Sequence, residues 1–277
     1  MELANRVAIV TGASEGIGRA LAQQLVSEGA QVALAARSKG KLEALVAELG
    51  AERALAVPTD VAQPAQVERL VARTVERFGG ADILVNNAGF GLYALVEETD
   101  WAHLREMWEV NFFGAVACTR AALPHLRQRG GAVVNISSVA GKIPLPYMAS
   151  YCATKSALNA FSDGLRMELA RTGVHVLTVC PGRVRTNFHE AAYRDGKNLP
   201  AIFQQRHPTG VSAEDVARAT LRALRRGRRE VIIPWRLRLA ASLRNLLPGL
   251  TERLLRELVR DPGPPPAAAP AGEQPSD

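Results

Sequence analysis

Arg6-Val-Ala-Ile-Val-Thr11 runs directly into Thr11-Gly-Ala-Ser-Glu-Gly-Ile-Gly18, and then into a helical pattern, Arg19 to Glu28, with Leu21 and Leu25 one turn apart. The opening run is short and apolar, as expected of a strand covered on both faces. A strand, a glycine turn and a helix in this order make a cradle for phosphate. Gly12 permits the tight turn, Gly16 lets backbone approach a pyrophosphate, and Gly18 allows close packing of helix on strand. The helix N-terminus adds oriented N–H groups and a favourable dipole, with Ser14, Glu15 and Ile17 completing the loop. The spacing is Gly-x-x-x-Gly-x-Gly, not Gly-x-Gly-x-x-Gly. A glycine motif alone also describes an ordinary turn; its strand and helix neighbours favour a dinucleotide.

The alternation continues. Gln31-Val-Ala-Leu-Ala-Ala36 is a second strand and ends in Arg37-Ser-Lys-Gly-Lys41. This strand end meets the adenosine ribose of a bound dinucleotide. A carboxylate there would accept from the 2′-hydroxyl of NAD, whereas a guanidinium matches a 2′-phosphate in charge and forked geometry. With Ala36 followed by Arg37, the expected cofactor is NADP(H); Lys39 and Lys41 fit either that phosphate or a solvated loop. A helix near Lys41–Leu49 leads to a third strand, Arg53–Val57, and to Asp60-Val61. Asp60 either caps a helix beginning near Pro64 or accepts from the adenine amino group.

Asp82-Ile-Leu-Val-Asn86 is a fourth strand, running into Asn86-Asn-Ala-Gly89. Small residues and amides suit a backbone passing close to a cofactor, or equally a stabilised turn. One long helix is expected from Trp101 to Gln128, with Asn111 in an apolar stretch where an unsatisfied amide is costly. Ala132-Val-Val-Asn-Ile136 is the next strand and delivers Ser137 and Ser138 to its carboxyl end. A loop with Gly141, Pro144 and Pro146 precedes a helix from about Ala149, which carries Tyr151 and Lys155 on one face, roughly 6 Å apart along the axis. A tyrosine hydroxyl ordinarily titrates near about 10. A neighbouring ammonium favours the phenolate and brings it toward a working range, and a converging serine hydroxyl could hold a substrate oxygen. Taken alone, the pair reads more readily as a half-buried Tyr with a solvated Lys, and Ser138 reads equally as a turn or capping residue.

Gly173–Val179 is a sixth strand, ending in Cys180-Pro-Gly-Arg-Val-Arg-Thr186. The segment 187–211 has no clean period, includes Phe188, Tyr193, Pro200 and Phe203, and reads as a substrate-covering lid. Ser212-Ala-Glu-Asp215 opens a helix with a capping-box-like start, and Glu230–Ile233 is the final strand. Repeated βα units predict one doubly wound parallel sheet with ligands beyond the strands' carboxyl ends, where every motif above falls.

Together these motifs resemble the short-chain dehydrogenase/reductase family. The likeness runs from Arg6 to about Ile233. It rests on Thr11-Gly-x-x-x-Gly-x-Gly18, Asn86-Asn-Ala-Gly89, Asn111, Ser138 followed 13 residues later by Tyr151-x-x-x-Lys155, and Pro181-Gly182 with Thr186. The resemblance implies a single α/β, Rossmann-like domain of about seven strands with helices on both faces, assembled as a homodimer or homotetramer. It also implies hydride transfer between NADP(H) and a ketone, aldehyde or alcohol. Tyr151 would be the general acid/base. Lys155 would lower its pKa and bind the nicotinamide-ribose hydroxyls, Ser138 would orient the carbonyl, and Asn111 would help hold a water in a proton relay. The 13-residue spacing favours Ser138 over Ser137. Asp60 and Val61 would take the adenine and Thr186 the carboxamide, with Asn87, Ala88, Gly89, Pro181, Gly182 and Val184 completing the cofactor site. In one departure, Glu15 stands where a basic residue often helps hold a 2′-phosphate, so NADP(H) rests mainly on Arg37, with Ser14 beside it.

Composition bounds the rest. A chain of 277 residues fits one large α/β domain. Three cysteines without Cys-x-x-Cys spacing argue against a disulfide framework or a metal site and fit a reducing, cytoplasmic compartment. The net charge of +7 is concentrated in 225–260, with ten Arg against three Glu. Those arginines alternate with leucines, aromatic content is 5% and no nucleic-acid motif is visible, so a surface or partner is expected there rather than nucleic acid. The expected organisation is a catalytic domain over 1–233, a helical extension over 234–260 and a disordered Pro/Ala-rich tail over 261–277. Leu239, Leu243, Leu246 and Leu250 recur at helical spacing in the extension. Such a basic amphipathic segment (235–260) either lies on an anionic membrane or packs on its own domain or a second subunit. The loops Phe90–Val96 and Ile143–Met148 are apolar and fit a small hydrophobic carbonyl or alcohol substrate; membrane contact would suit a lipid-like ketone of acyl, sphingoid or sterol type. The competing class is a non-catalytic NADP-binding regulatory protein, against which the intact Ser/Tyr/Lys/Asn set argues.

Overall fold

Seven parallel strands form the central sheet of the computed structural model, which describes residues 1–196, 199, 200, 203 and 209–259. They are β1 (Val7–Thr11), β2 (Gln31–Ala36), β3 (Ala54–Pro58), β4 (Ile83–Asn86), β5 (Ala132–Ile136), β6 (His175–Pro181) and β7 (Glu230–Ile233). Their order is β3-β2-β1-β4-β5-β6-β7. Alternate side chains point to opposite faces, and both faces are covered, which is why each strand reads as an almost unbroken apolar run. Ala8, Val10, Leu34 and Val134 share one core with α1 (Gly16–Ser27), α2 (Lys39–Leu49) and α7 (Ala213–Arg225). Ile9, Ala33, Leu84 and Val133 share the other with α3 (Pro64–Phe78), α5 (Gly114–Arg129) and α6 (Ala149–Glu168). The register Ala8↔Val32 and Ala8↔Ile83 places β1 between β2 and β4, so the crevice where the sheet reverses direction opens beside the glycine loop.

Three expectations are corrected. The helix expected over Trp101–Gln128 is divided into α4 (Trp101–Trp108) and α5 by a π-helical turn, Glu109–Phe113, that contains Asn111. One extra residue in that turn re-aims Asn111 into the interior, where its amide is satisfied by Phe90 and Thr154. Asp60 does not cap α3, whose N-cap is Gln63; its Oδ1 accepts instead from the Ala62 N–H at 3.0 Å. The sixth strand is shifted and runs on through Cys180 and Pro181, which pair with Ile232 and Ile233 of β7. Ser212 caps α7 as expected, accepting from the Asp215 N–H at 3.0 Å.

The lid segment is anchored by two short parallel ladders. Leu92–Tyr93 pairs with Tyr193–Arg194, and Val184–Arg185 with Val211–Ser212. Residues 197–198, 201–202 and 204–208 of that segment, and the tail expected to be disordered, 261–277, lie outside the described residues. After β7, α8 (Arg236–Leu246) and α9 (Pro248–Val259) form the extension. Leu237, Ala241 and Leu255 pack against Ile143, Cys180 and Ile232, while Leu239, Leu243, Leu246 and Leu250 all face outward. No helix of the described residues is long and apolar enough to cross a membrane.

Candidate active site

The glycine loop owes its shape to its neighbours. Gly12 has φ +62°, a left-handed conformation that suits glycine, and a Cβ on Gly18 would stand 2.2 Å from the Gly12 carbonyl oxygen. The loop after β4 grips this turn from the other side. Asn87 Nδ2 donates to the carbonyls of Thr11 at 2.9 Å and Gly12 at 3.1 Å. Thr11 Oγ1 accepts from the N–H groups of Asn87 and Ala88. Asn86 points elsewhere, donating to Asn135 Oδ1 inside the sheet at 2.8 Å. Glu15 is the N-cap of α1 but its side chain makes no capping bond, and with Gly16 and Ile17 it places the N-terminus of this 12-residue helix on the cavity wall.

Beyond β2 and its neighbour β3, Arg37, Ser38, Lys41, Asp60 and Val61 wall one end of a cavity of about 560 Å³. Lys41 pairs with Glu15 at 3.0 Å, which offsets the acidic charge the sequence places in the loop. Arg37 is largely exposed and lies 3.6 Å from Glu106 of α4.

The other end gathers the remaining residues. Ser138 follows β5, and its Oγ accepts from the Ala140 N–H at 3.1 Å and donates to the Pro181 carbonyl at 3.5 Å, so it does serve as a turn residue on the wall it shares with Tyr151. Ser137 is turned away, donating to the Lys155 carbonyl at 3.2 Å. Tyr151 and Lys155 are both buried on α6, with Lys155 Nζ 5.9 Å from the Tyr151 ring centroid and donating to the Ile136 carbonyl at 3.1 Å. Gly89 lies between Lys155 and Asn111: a Cβ there would stand 3.5 Å from Nζ and 2.9 Å from Asn111 Oδ1. Asn111 Nδ2 donates to the Phe90 carbonyl at 2.9 Å, and its Oδ1 accepts from the Phe90 N–H at 3.0 Å. Pro181, Gly182, Val184 and Thr186 complete this wall.

The electrostatics differ from the sequence expectation. Burial pushes the Tyr151 hydroxyl up, and the neighbouring Ser138 hydroxyl opposes this only in part. Burial also draws the Lys155 ammonium down to about 8. At neutral pH the chain therefore presents a protonated phenol beside a cation, the form of a general acid.

Ser14, Gly16, Ile17, Asn87, Ala88 and Gly89 line the cavity between the two ends. A guanidinium, a helix N-terminus and a buried ammonium thus occur in sequence along one groove, and this donor set fits a phosphorylated dinucleotide. Lys41, Tyr93 and His189 also line the cavity, and sequence reasoning did not assign the last two to it. They come together only in the fold, 96 residues apart in the chain.

Comparison with known proteins gives a concordant result. The model of the short chain dehydrogenase family matches residues 6–197. Dehydrogenase/reductase SDR family member 7B of Bos taurus is 36% identical over 267 residues, covering 92% of this chain and 82% of the relative. A solved short chain dehydrogenase/reductase from Burkholderia phymatum, in complex with NAD, superposes with a TM-score of 0.82 at 28% identity, covering 96% of this chain and 99% of that one. An alcohol dehydrogenase from the archaeon Thermococcus sibiricus, complexed with 5-hydroxy-NADP, superposes with a TM-score of 0.73 at 30% identity, over 82% of this chain and 95% of that one.

Proposed function

The chain belongs to the short-chain dehydrogenase/reductase family of NAD(P)-dependent oxidoreductases acting between C=O and CH–OH, and within it we propose an NADP(H)-dependent reductase of apolar ketones. One observation carries this reading. Ser138, Tyr151 and Lys155 converge at one end of a cavity whose other end is walled by Arg37, with no carboxylate directly after β2.

Gly12, Gly16 and Arg37 would hold NADPH along the crevice, and the bound cofactor would supply the hydride. Ser138 and Tyr151 hold the carbonyl oxygen, and Tyr151 passes its proton to that oxygen as charge develops there. Lys155 stabilises the phenolate left behind and binds ribose hydroxyls. Asn111 fixes the Phe90 backbone beside Gly89 and positions a water that returns the proton. Phe90, Phe188 and Phe203 keep the reacting end poor in bulk water, which strengthens these interactions.

NADPH oxidation over ketones of rising chain length, with NADH in parallel, tests the reading. Rates that rise with chain length and require NADPH are expected; NADPH binding without turnover of any ketone would point to a non-catalytic protein instead. For the cofactor itself, Arg37→Asp is expected to lower kcat/KM for NADPH about 100-fold and to leave NADH the better substrate. A charge-assisted pair is lost and a repulsion gained. An unchanged NADPH-to-NADH ratio would remove Arg37 from the phosphate site.

The extension favours a second reading, attachment to an anionic lipid surface. Trp235, Leu239, Leu246 and Leu254 are each more than half exposed, with Arg236, Arg238, Arg253 and Arg256 also exposed on the same two helices. Apolar side chains flanked by cations suit an acidic interface, and a lipid-like ketone would be close at hand. Cosedimentation with phosphatidylglycerol vesicles at low salt is expected, with loss in a Leu239→Ser/Leu246→Ser/Leu254→Ser variant. A doubled mass in light scattering without lipid, together with indifference to vesicles, would make the occupant a second copy of the chain.

A further inference from the structure

Two polar pairs interrupt the apolar part of the cavity wall: a half-exposed one, Tyr193 donating to Glu106 at 2.7 Å, and one built on the buried Tyr93. Tyr93 is 1% exposed, and its phenolic oxygen lies 2.7 Å from His189 Nδ1, the two rings 10° from parallel. Both line the cavity that holds Ser138 and Tyr151. Around them stand Phe90, Leu145, Met148, Phe188 and Phe203. Phe188 spans the interval to the reacting end, its ring 5.6 Å from Tyr151 and 6.2 Å from His189. The Tyr93–His189 pair is therefore one aromatic ring removed from the catalytic hydroxyl.

We propose that Tyr93 and His189 form a subsite for a second oxygen function, a hydroxyl remote from the reacting carbonyl of an otherwise apolar substrate. This rests on the ketone-reductase reading and narrows its substrate class. The chemistry follows from the pair itself. If His189 Nδ1 accepts the phenolic proton, the Tyr93 oxygen retains lone pairs for a substrate O–H. If Nδ1 donates, the Tyr93 O–H is released to meet a substrate oxygen. A hydroxyl, both donor and acceptor, satisfies either tautomer. Burial pushes the Tyr93 hydroxyl up to about 12, so the group reads by hydrogen bonding and is not a second acid. The pair is not needed merely to hold the lid. The ladder Leu92↔Tyr193 and Tyr93↔Arg194, with the Tyr193 N–H donating to Gly91 O at 3.0 Å, already joins these segments.

The test compares 2-alkanones of six to twelve carbons with their terminally hydroxylated counterparts, by NADPH oxidation with the full chain. In a wholly apolar pocket the added hydroxyl lowers kcat/KM, because it loses water without a partner. With the subsite, one chain length is expected to show about a tenfold preference for the hydroxylated ketone. Tyr93→Phe, and separately His189→Phe, which keeps an aromatic ring in place, are expected to bring that ratio to one or below. A ratio at or below one throughout the wild-type series, or a preference that survives both variants, would overturn the subsite. If no ketone is turned over, the reductase reading fails and the subsite is judged by calorimetric titration of the matching diols and mono-alcohols with NADP⁺ present. About tenfold tighter diol binding, lost in Tyr93→Phe, supports the subsite; equal binding overturns it.

Discussion

Tyr151→Phe is expected to reduce ketones at about a thousandth of the wild-type kcat while binding NADPH within about threefold of normal affinity. The substitution removes one hydroxyl and leaves the ring, which packs edge-on to Phe188 at 5.6 Å, so the pocket keeps its shape. What is lost is the proton donor. Positioned acid–base groups contribute roughly 10² to 10⁴ in rate, and the remaining Ser138 hydroxyl can polarise a carbonyl without supplying the same transfer. Lys155 stays buried on the same helix, held by the Ile136 carbonyl at 3.1 Å, so the proposed ribose contacts persist. Steady-state rates and a fluorescence titration of NADPH separate the two quantities. Turnover within tenfold of wild type would remove Tyr151 from its proposed role.

Gly18→Ala is expected to weaken NADPH binding at least about 100-fold, equivalent to roughly 2.7 kcal/mol. The new Cβ would lie 2.2 Å from the Gly12 carbonyl oxygen and 2.6 Å from Asn87 Nδ2. Neither atom can step aside cheaply, because that amide already bonds the carbonyls of Thr11 and Gly12. Relief requires the glycine turn to part from the loop after β4, which pulls apart the proposed phosphate cradle. Overpacking of this kind costs about 1–3 kcal/mol of stability, so a melting temperature lower by several degrees accompanies the loss. Gly40→Ala is the control. It stands in the first turn of α2 with nothing within 4 Å of the added carbon, and both properties should hold at wild-type level. Normal affinity in Gly18→Ala would show that the turn can relax without harm.

Much of this architecture is legible in the chain because burial on both sheet faces writes strands as continuous apolar runs, β1 and β5 most plainly. The positions of Tyr151 and Lys155 are equally legible, since four residues on a helix fix a shared face. Other features leave no such mark. The π-helical turn around Asn111 adds a residue to a helix whose composition is otherwise ordinary, so the sequence reads as one long helix. Asp60 precedes a helix yet holds Ala62, a choice made by local backbone geometry. The Tyr151 hydroxyl is governed by burial more than by its neighbouring ammonium, and the depth of a pocket is not encoded in a four-residue spacing. The leucine stripe of the extension is visible, but its outward orientation depends on Leu237, Ala241 and Leu255 having taken the inward face. Tyr93 and His189 meet only through tertiary folding.

The strand order also bears on how the chain reaches this state. Every strand after the first is laid beside one already present: β2 on β1, β3 on β2, then β4 back on β1, and β5, β6 and β7 outward in turn. No strand has to be inserted between two that are already paired. A chain growing from its N-terminus can therefore build its sheet by accretion, with a single change of direction between β3 and β4. That step closes the longest early loop and is the entropically demanding one. The same pairing brings Asn87 to the glycine turn, so the nucleotide crevice is assembled from the first non-sequential contact of the sheet, by residues that all precede Tyr151 in the chain.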